Sequence, residues 1–283
     1  MKVKHQLIKS PLNYTGGKHK LLPQLLPFFP KEINRFIDLF AGGCNVGVNV
    51  EAEEIICNDI EKELITFYNV CKKVPTELII KKIEETVFKY KLSKENYEGY
   101  RNLRADYNSG DHSWYMFYTL IAHSFSNQIR FNSKREFNLP FGKRTFNPAL
   151  KEKLIFFAER IKLISINFRC DDYKKVVSDL RQGDFVYCDP PYLIANASYN
   201  ESGGWTDKDE HELLNILDEL NGKNIKFALS NVLNHKGKEN KILKDWSKKY
   251  NIHRIYSNYK NCNYHTKDRS DSTFEVLITN YNK

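Results

Sequence analysis

Apolar and polar positions alternate along this chain with two different periods, and the switches between them outline a fold. Residues 36–41 read FIDLFA, an apolar run of strand length that ends on Gly42-Gly43. NVGVNVEAE (45–53) follows as a predicted helix and EEIICNDI (53–60) as a second strand. Strand, glycine turn, helix and strand make a βαβ unit, which predicts a parallel sheet with a ligand at the strand C-termini. From 61 to about 125 the spacing turns helical. ELITFYNVCKKV and TELIIKKIEETVFKYK carry an apolar stripe, and WYMFYTLIAHSF is apolar on all sides, which predicts a buried helix. Residues 126–150 are polar, basic and aromatic, broken by Gly and Pro, and read as a loop or hairpin. Alternation resumes at 151 with KLIFFAERIKLI (helix), ISINFRC (strand), DYKKVVSDL (helix) and DFVYCD (strand, 184–189). Thr206 is the expected N-cap of a further helix, with Asp209 three residues on. NIKFALSN (224–231) is a strand, and IHRIYSN with STFEVLITN predicts a closing antiparallel pair. Segment 62–150 is therefore an insertion in an α/β sheet.

The 283 residues are 41% hydrophobic and 28% charged, enough to bury a core and too apolar for wholesale disorder. No apolar run approaches the ~18 residues of a membrane span, and MKVKHQLIKSPLNY has no signal-peptide core. The six Cys form no CxxC pair, so reduced thiols in a cytoplasmic protein are expected. The eight His show no ligand spacing, and no metal is expected. The net charge of +9 matters through its location. Residues 126–151 hold Arg130, Lys134, Arg135, Lys143, Arg144 and Lys151 against Glu136 alone, a local +5. Phe131, Phe137, Phe141 and Phe146 are interleaved. Such a loop suits phosphate contact; the phenylalanines themselves read better as anchors to the core.

Four short motifs carry candidate chemistry. Asp189-Pro190-Pro191-Tyr192 ends an apolar strand, where open α/β sheets bind ligands. The exocyclic amine of adenine is a poor nucleophile because its lone pair is delocalised into the ring. A carboxylate at Asp189 and the carbonyl of Pro190, a residue with no N–H of its own, can accept the amino hydrogens and favour pyramidal nitrogen. Tyr192 offers a stacking face. Cytosine-C5 chemistry would need a Cys after Pro, and no Pro-Cys occurs. Asp38-Leu39-Phe40-Ala41-Gly42-Gly43 is either a cofactor approach or a plain βα turn; its spacing is not GxGxxG. Asn58-Asp59 suits a ribose diol, a helix N-cap, or both. Asn13-Tyr14-Thr15-Gly16-Gly17-Lys18 is a turn that can present an ammonium to a carboxylate, and it is not a P-loop.

Together and in this order, the motifs make the chain resemble the Dam-like (D12 class, alpha-group) DNA adenine-N6 methyltransferases over nearly its whole length. YTGGK, FIDLFAGG, ICNDI, RFNSKREFNLPFG, DPPY, FALSN and EVLITN carry the resemblance. It implies a Rossmann-like methyltransferase sheet with an inserted, mainly helical DNA-recognition domain. Residues 1–61 and 151–283 would form the catalytic S-adenosylmethionine-binding domain, and 62–150 the target-recognition domain. It implies that Tyr14, Lys18, Asp38, Phe40, Gly42, Asp59, Ile60, Asp171 and Asp189 bind the cofactor, released as S-adenosylhomocysteine. Asp189, Pro190, Pro191 and Tyr192 would handle a flipped adenine. Ser126, Asn127, Arg130, Asn132, Lys134, Arg135, Lys143 and Arg144 would contact double-stranded DNA, with Arg130 reading a guanine in a target such as GATC. A cognate restriction endonuclease and a monomeric state are further implications. The chain departs from the family at Cys44, where many relatives carry a small residue, usually Gly, and at Ser126-Asn127-Gln128, where relatives commonly read Tyr-Asn-Gly. Two other functions share the motifs: a binding module without turnover, and transfer to cytosine N4 or RNA.

Overall fold

The computed structural model describes residues 6–194, 204–256 and 273–282. Among these, the regular elements in chain order are α1 (Leu22–Leu25), β1 (Arg35–Asp38), β2 (Glu54–Asn58), α2 (Lys62–Lys73), α3 (Thr76–Lys89), α4 (Tyr97–Asn108), α5 (Trp114–His123), α6 (Pro148–Leu163), β3 (Ile166–Arg169), α7 (Tyr173–Ser178), β4 (Asp184–Cys188), α8 (Asp207–Gly222), β5 (Lys226–His235), β6 (Lys238–Glu239), α9 (Lys241–Ser247), β7 (Asn251–Ile255) and β8 (Phe274–Thr279). The architecture is mixed α/β. The chain divides into two compact units, one of Met1–His19, Ala41–Asn49 and Cys57–Asp171, the other of Lys20–Phe40, Val50–Ile56 and Asp172–Lys283.

The first unit is mainly helical. α5 lies at its centre, buried at every position from Met116 to His123, and packs against α2, α3 and α4. A helix apolar on all sides can only be stable when surrounded. Phe67 of α2 stacks on Tyr118 of α5 at 4.7 Å, and Tyr68 meets Phe157 of α6 at 5.3 Å. α4 starts on Asn96, whose side chain caps Gly99 N–H, and α6 starts on Asn147, which caps Leu150.

The second unit is built on a sheet. Its strand order is β1-β4-β5-β8-β7, with β6 returning on β5. β1, β4 and β5 are parallel, in a register that pairs Ile37 with Val186 and Val186 with Phe227. β8 and β7 are antiparallel, as the C-terminal pattern predicts. β4 is buried at every position, the near-continuous apolar run expected of a central parallel strand. The core joins Ile37, Leu39, Val186 and Cys188 to Leu213, Leu217, Phe227 and Ile278. Arg35 closes the opposite end of β4 through Nε to Asp184 Oδ1 (2.9 Å) and Nη2 to Asp184 Oδ2 (2.5 Å). Thr206 and Asp209 form the expected capping box of α8.

One predicted element is corrected. Residues 45–53 are a succession of turns, not a helix. Val46, Gly47, Val48, Asn49 and Val50 are poor helix formers, and their polar neighbours are engaged elsewhere. Asn49 Oδ1 accepts Ile8 N–H and its Nδ2 donates to Ile8 O, each at 2.7 Å, while Asn45 Oδ1 accepts Ser10 N–H at 3.0 Å. The three valines are buried by this route without a helix.

Candidate active site

The helical unit holds a cradle around Gly42. The turn takes φ +46° at Gly42, and a Cβ there would come within 2.8 Å of the Tyr14 ring. Only glycine fits such an approach. Asp59, at the exit of β2, fixes the turn: its Oδ2 accepts Gly42 N–H (2.8 Å) and its Oδ1 accepts Glu61 N–H (2.9 Å). Burial pushes the Asp59 carboxyl up, and these backbone donors oppose the shift. Asp59 therefore precedes the N-cap of α2, which is Glu61. Tyr68 of α2 holds the other side of the turn by donating its hydroxyl to Gly42 O at 2.7 Å. Ile60 stands outside this buried acid, 75% exposed. Asn58 ties in Asp171, with Nδ2 donating to Asp171 O (3.0 Å) and Oδ1 accepting Asp171 N–H (3.1 Å). The Asp171 carboxylate is ion-paired with Arg169. Lys18 is buried, and its ammonium donates to Gly16 O at 3.1 Å.

Cys44, the departure noted above, takes φ +55°, a region that favours glycine. Its thiol lies 3.4 Å from that of Cys57, and both are buried and outside any disulfide. None of the five described cysteines is in a disulfide; Cys262 lies outside the described residues.

The same unit carries the basic loop as a hairpin. Phe131 bridges Phe137, and Ser124 bridges Phe141. All four phenylalanines point inward: Phe137 is 1% exposed, Phe131 stacks on Phe117, Phe141 meets Tyr97 and Tyr100, and Phe146 meets Tyr118 edge-on. They are anchors, as preferred from the sequence. The base of the hairpin touches the N-terminal motif. Asn13 Nδ2 donates to Ser126 O (2.7 Å) and Gln128 Nε2 to Thr15 Oγ1 (3.3 Å). Ser126 and Asn127 both have left-handed backbones, and Asn127 Nδ2 caps α5 by donating to Ile121 O and Ala122 O. Arg130 is held by Asn138, through Nε to Oδ1 at 2.7 Å and Nη2 to the carbonyl at 3.1 Å. Asn132 closes the turn, with Nδ2 donating to Glu136 Oε2 (2.7 Å). Lys134, Lys143 and Arg144 are exposed. Arg135 pairs with Glu61 and Glu63, and Lys151 with Glu84.

The sheet unit carries the strand-end motif. Asp189-Pro190-Pro191-Tyr192 leaves β4 directly, and Tyr192 donates its hydroxyl to Asp189 Oδ1 at 2.9 Å. The same hydroxyl lies 3.5 Å from Oε1 of Glu275, a carboxylate in β8 that is 1% exposed. Burial, with Asp189 and Glu275 nearby, pushes the Tyr192 phenol far above its ordinary range. Tyr187 is locked to Ser230 of β5 by a 2.8 Å hydroxyl contact. Asp38 is buried at the end of β1, and Phe40 sits against Tyr173 (5.1 Å) and Trp205 (5.9 Å). Trp205 Nε1 donates to Glu210 Oε2 at 2.6 Å, and Asn240 Nδ2 to Glu210 Oε1 at 2.8 Å.

Sequence reasoning missed Glu275, Tyr68, Tyr173, Trp205 and Glu210. Glu275 left a signal, a lone acid on the apolar strand FEVLIT. The others did not: Tyr68 stands in an apolar helical stripe and looks like core, Glu210 is one of several acids in TDKDEHE, and Tyr173 and Trp205 stand among polar residues with no pattern of their own. Among the described residues there is no group of three or more His, Cys, Asp or Glu placed to hold a metal, and no helix long and apolar enough to cross a membrane.

The profile of the D12 class N6 adenine-specific DNA methyltransferases matches residues 14–261. The chain is 48% identical to type II methyltransferase M.FokI of Planomicrobium okeanokoites and 40% identical to modification methylase StsI of Streptococcus sanguinis. Each alignment covers 97% of this chain and 43% of the relative. It is 27% identical to the DNA adenine methylase of Serratia marcescens, over 83% of this chain and 85% of that protein. The chain thus spans less than half the length of M.FokI and StsI. It belongs to the D12 class N6 adenine-specific DNA methyltransferase family.

Proposed function

We propose that this D12-class chain transfers a methyl group from S-adenosylmethionine to N6 of an adenine flipped out of duplex DNA. The observation that carries the reading is the end of β4, where Asp189 leaves a fully buried strand with its carboxylate already oriented by the Tyr192 hydroxyl. A carboxylate can accept several hydrogen bonds at once. Asp189 accepts an amino hydrogen of the adenine, the Pro190 carbonyl accepts the other, and the nitrogen lone pair is freed from the ring. Tyr192, fixed through its hydroxyl, offers its ring face to the base. Stacked, paired adenine cannot reach the methyl group, so flipping is required; it costs about a few kcal/mol, offset by protein–DNA contacts. After transfer the surplus proton passes to solvent.

The residues present fit the cofactor. The Gly42 turn allows close approach where a Cβ would strike Tyr14, and exposed Ile60 stands beside buried Asp59. Asp59 would hold the ribose and Ile60 the adenine. Tyr14, Lys18, Gly42 and Asp171 would line the rest. When bound, the cofactor supplies a methyl made electrophilic by its sulfonium. Segment 62–150 would act as the recognition domain, with Arg130 reading guanine, Lys134, Lys143 and Arg144 on phosphates, and GATC the first target to test. The names of the relatives point to a restriction–modification partner. A cytoplasmic monomer is the working state.

The test is transfer from labelled S-adenosylmethionine to mixed-sequence duplex, followed by nucleoside analysis. N6-methyladenine is expected, and Asp189→Ala should lower its formation about a thousandfold. Label on cytosine, or equal activity in Asp189→Ala, overturns the reading.

A further inference from the structure

Arg135 belongs by sequence to the basic loop, yet its guanidinium is turned toward the cofactor cradle of its own unit. Nη1 donates to Glu61 Oε2 at 3.1 Å, and Nη2 donates to Glu61 Oε1 and, at 2.6 Å, to Glu63 Oε2. Both acids are largely covered, at 17% and 16% exposed. The guanidinium carbon lies 4.6 Å over the Phe131 ring, which stacks on Phe117 of α5. Arg135 makes these contacts from a backbone φ of +62°, a conformation that favours glycine. An arginine at a glycine-like position, clamped on two acids and an aromatic face, is placed by its side chain.

The acids it holds are close to the ligand turn. Glu61 N–H donates to Asp59 Oδ1, and Asp59 Oδ2 accepts Gly42 N–H. A short hydrogen-bonded path therefore runs from the Gly42 turn through Asp59 and Glu61 to Arg135 and the hairpin turn that Asn132 closes. We propose that Arg135 is a coupling residue: by holding Glu61 and Glu63 it ties the recognition hairpin to the cofactor cradle, so that cofactor and DNA each bind more tightly in the presence of the other. This rests on the function proposed above. Ordering the Gly42–Glu61 segment by one ligand then removes part of the ordering cost of the hairpin for the other. Linkage requires the same factor in both directions.

The experiment measures S-adenosylhomocysteine affinity by calorimetry with and without saturating duplex, and duplex affinity with and without S-adenosylhomocysteine, on the full chain. Wild type should show mutual tightening of about tenfold. Arg135→Ala and Glu61→Gln should each reduce it to roughly twofold or less, while S-adenosylhomocysteine alone binds within about threefold of wild type. The charge-swapped pair Glu61→Arg with Arg135→Glu should recover part of the factor, which a loss of fold would not. Independent binding in wild type overturns the proposal, as does an unchanged factor in Arg135→Ala. If Arg135→Ala instead weakens duplex binding alone and lowers the salt slope by about one, Arg135 is a phosphate ligand and the proposal is wrong. A wild-type chain that binds neither ligand overturns the functional reading and this inference with it.

Discussion

The strand end at Asp189–Tyr192 and the hairpin at 124–142 hold their residues in place by different means. At the strand end the positions come from ladder pairing: Ile37 beside Val186, Val186 beside Phe227, Cys188 beside Leu229. Four consecutive residues then carry the proposed chemistry. The hairpin has isolated bridges and scattered backbone hydrogen bonds, such as Asn138 N–H to Arg130 O and Phe125 N–H to Pro140 O, and side chains of α4 hold it further. Tyr100 and Arg104 of α4 both donate to Leu139 O, at 2.8 and 3.1 Å. Asn108 accepts Phe137 N–H (2.8 Å) and donates to Phe137 O (3.1 Å). Gly142 passes so close to Ser124 that a Cβ would lie 2.1 Å from its carbonyl oxygen. A motif on a ladder tolerates little change in shape. A hairpin held largely by side chains has more freedom to change shape.

The contrast breaks hardest at Asp189. Asp189→Ala should lower the methyl-transfer rate about a thousandfold, the order seen when a preorganised charge-stabilising group is removed. Thermal unfolding should stay near wild type, because the ladder does not depend on this side chain. Single-turnover rates beside melting curves check it; a comparable fall in melting temperature would mean the two regions are not held differently.

Phe137→Ala attacks the other side. The ring is 1% exposed and meets Phe131 and Tyr107 edge-on. Its removal should cost about 3 kcal/mol of stability, read by urea unfolding, with DNA binding lost before cofactor binding. Asn108→Ala should cost less, about 1–2 kcal/mol, by leaving the Phe137 amide without its partner. Equal loss of cofactor and DNA affinity in either variant would show the hairpin to be part of the cradle rather than an addition to it.

The same contrast explains what could be read from the chain. FIDLFA and DFVYCD announce themselves because a buried parallel strand must be a continuous apolar run, and Thr206 with Asp209 announces α8 because capping is local. NVGVNVEAE misleads because its apolar spacing imitates a helix, while its asparagines spend their hydrogen bonds on Ile8 and Ser10, more than thirty residues away. Asp59 was legible as an acid after a strand; that it fixes the glycine turn was not, since Gly42 lies seventeen residues back. Charge was the least transparent. The local +5 of 126–151 counts Arg135 and Lys151, whose partners Glu61, Glu63 and Glu84 come from α2, its N-cap and α3. A charge total cannot show pairing across that much chain, and the exposed positive charge of the hairpin is smaller than its sequence suggests.

That pairing supplies the subtlest test. Burial, with Glu63 alongside, pushes the Glu61 carboxyl up to about 7 against the opposing pull of Arg135. At the strand end, by contrast, the Tyr187 and Tyr192 phenols are pushed far upward and keep their protons. A carboxyl whose pKa is raised by folding binds more protons folded than unfolded, so its contribution to stability is greatest at low pH. That contribution falls as pH rises from the ordinary carboxylate value of 4.5 to about 7, then levels off. Removing the cation should raise Glu61 further and extend the fall to higher pH. The stability gap between wild type and Arg135→Ala should therefore be smallest near pH 5 and widen toward pH 8. Urea unfolding across that range measures it, and a gap that does not change with pH would mean that Glu61 and Arg135 titrate independently.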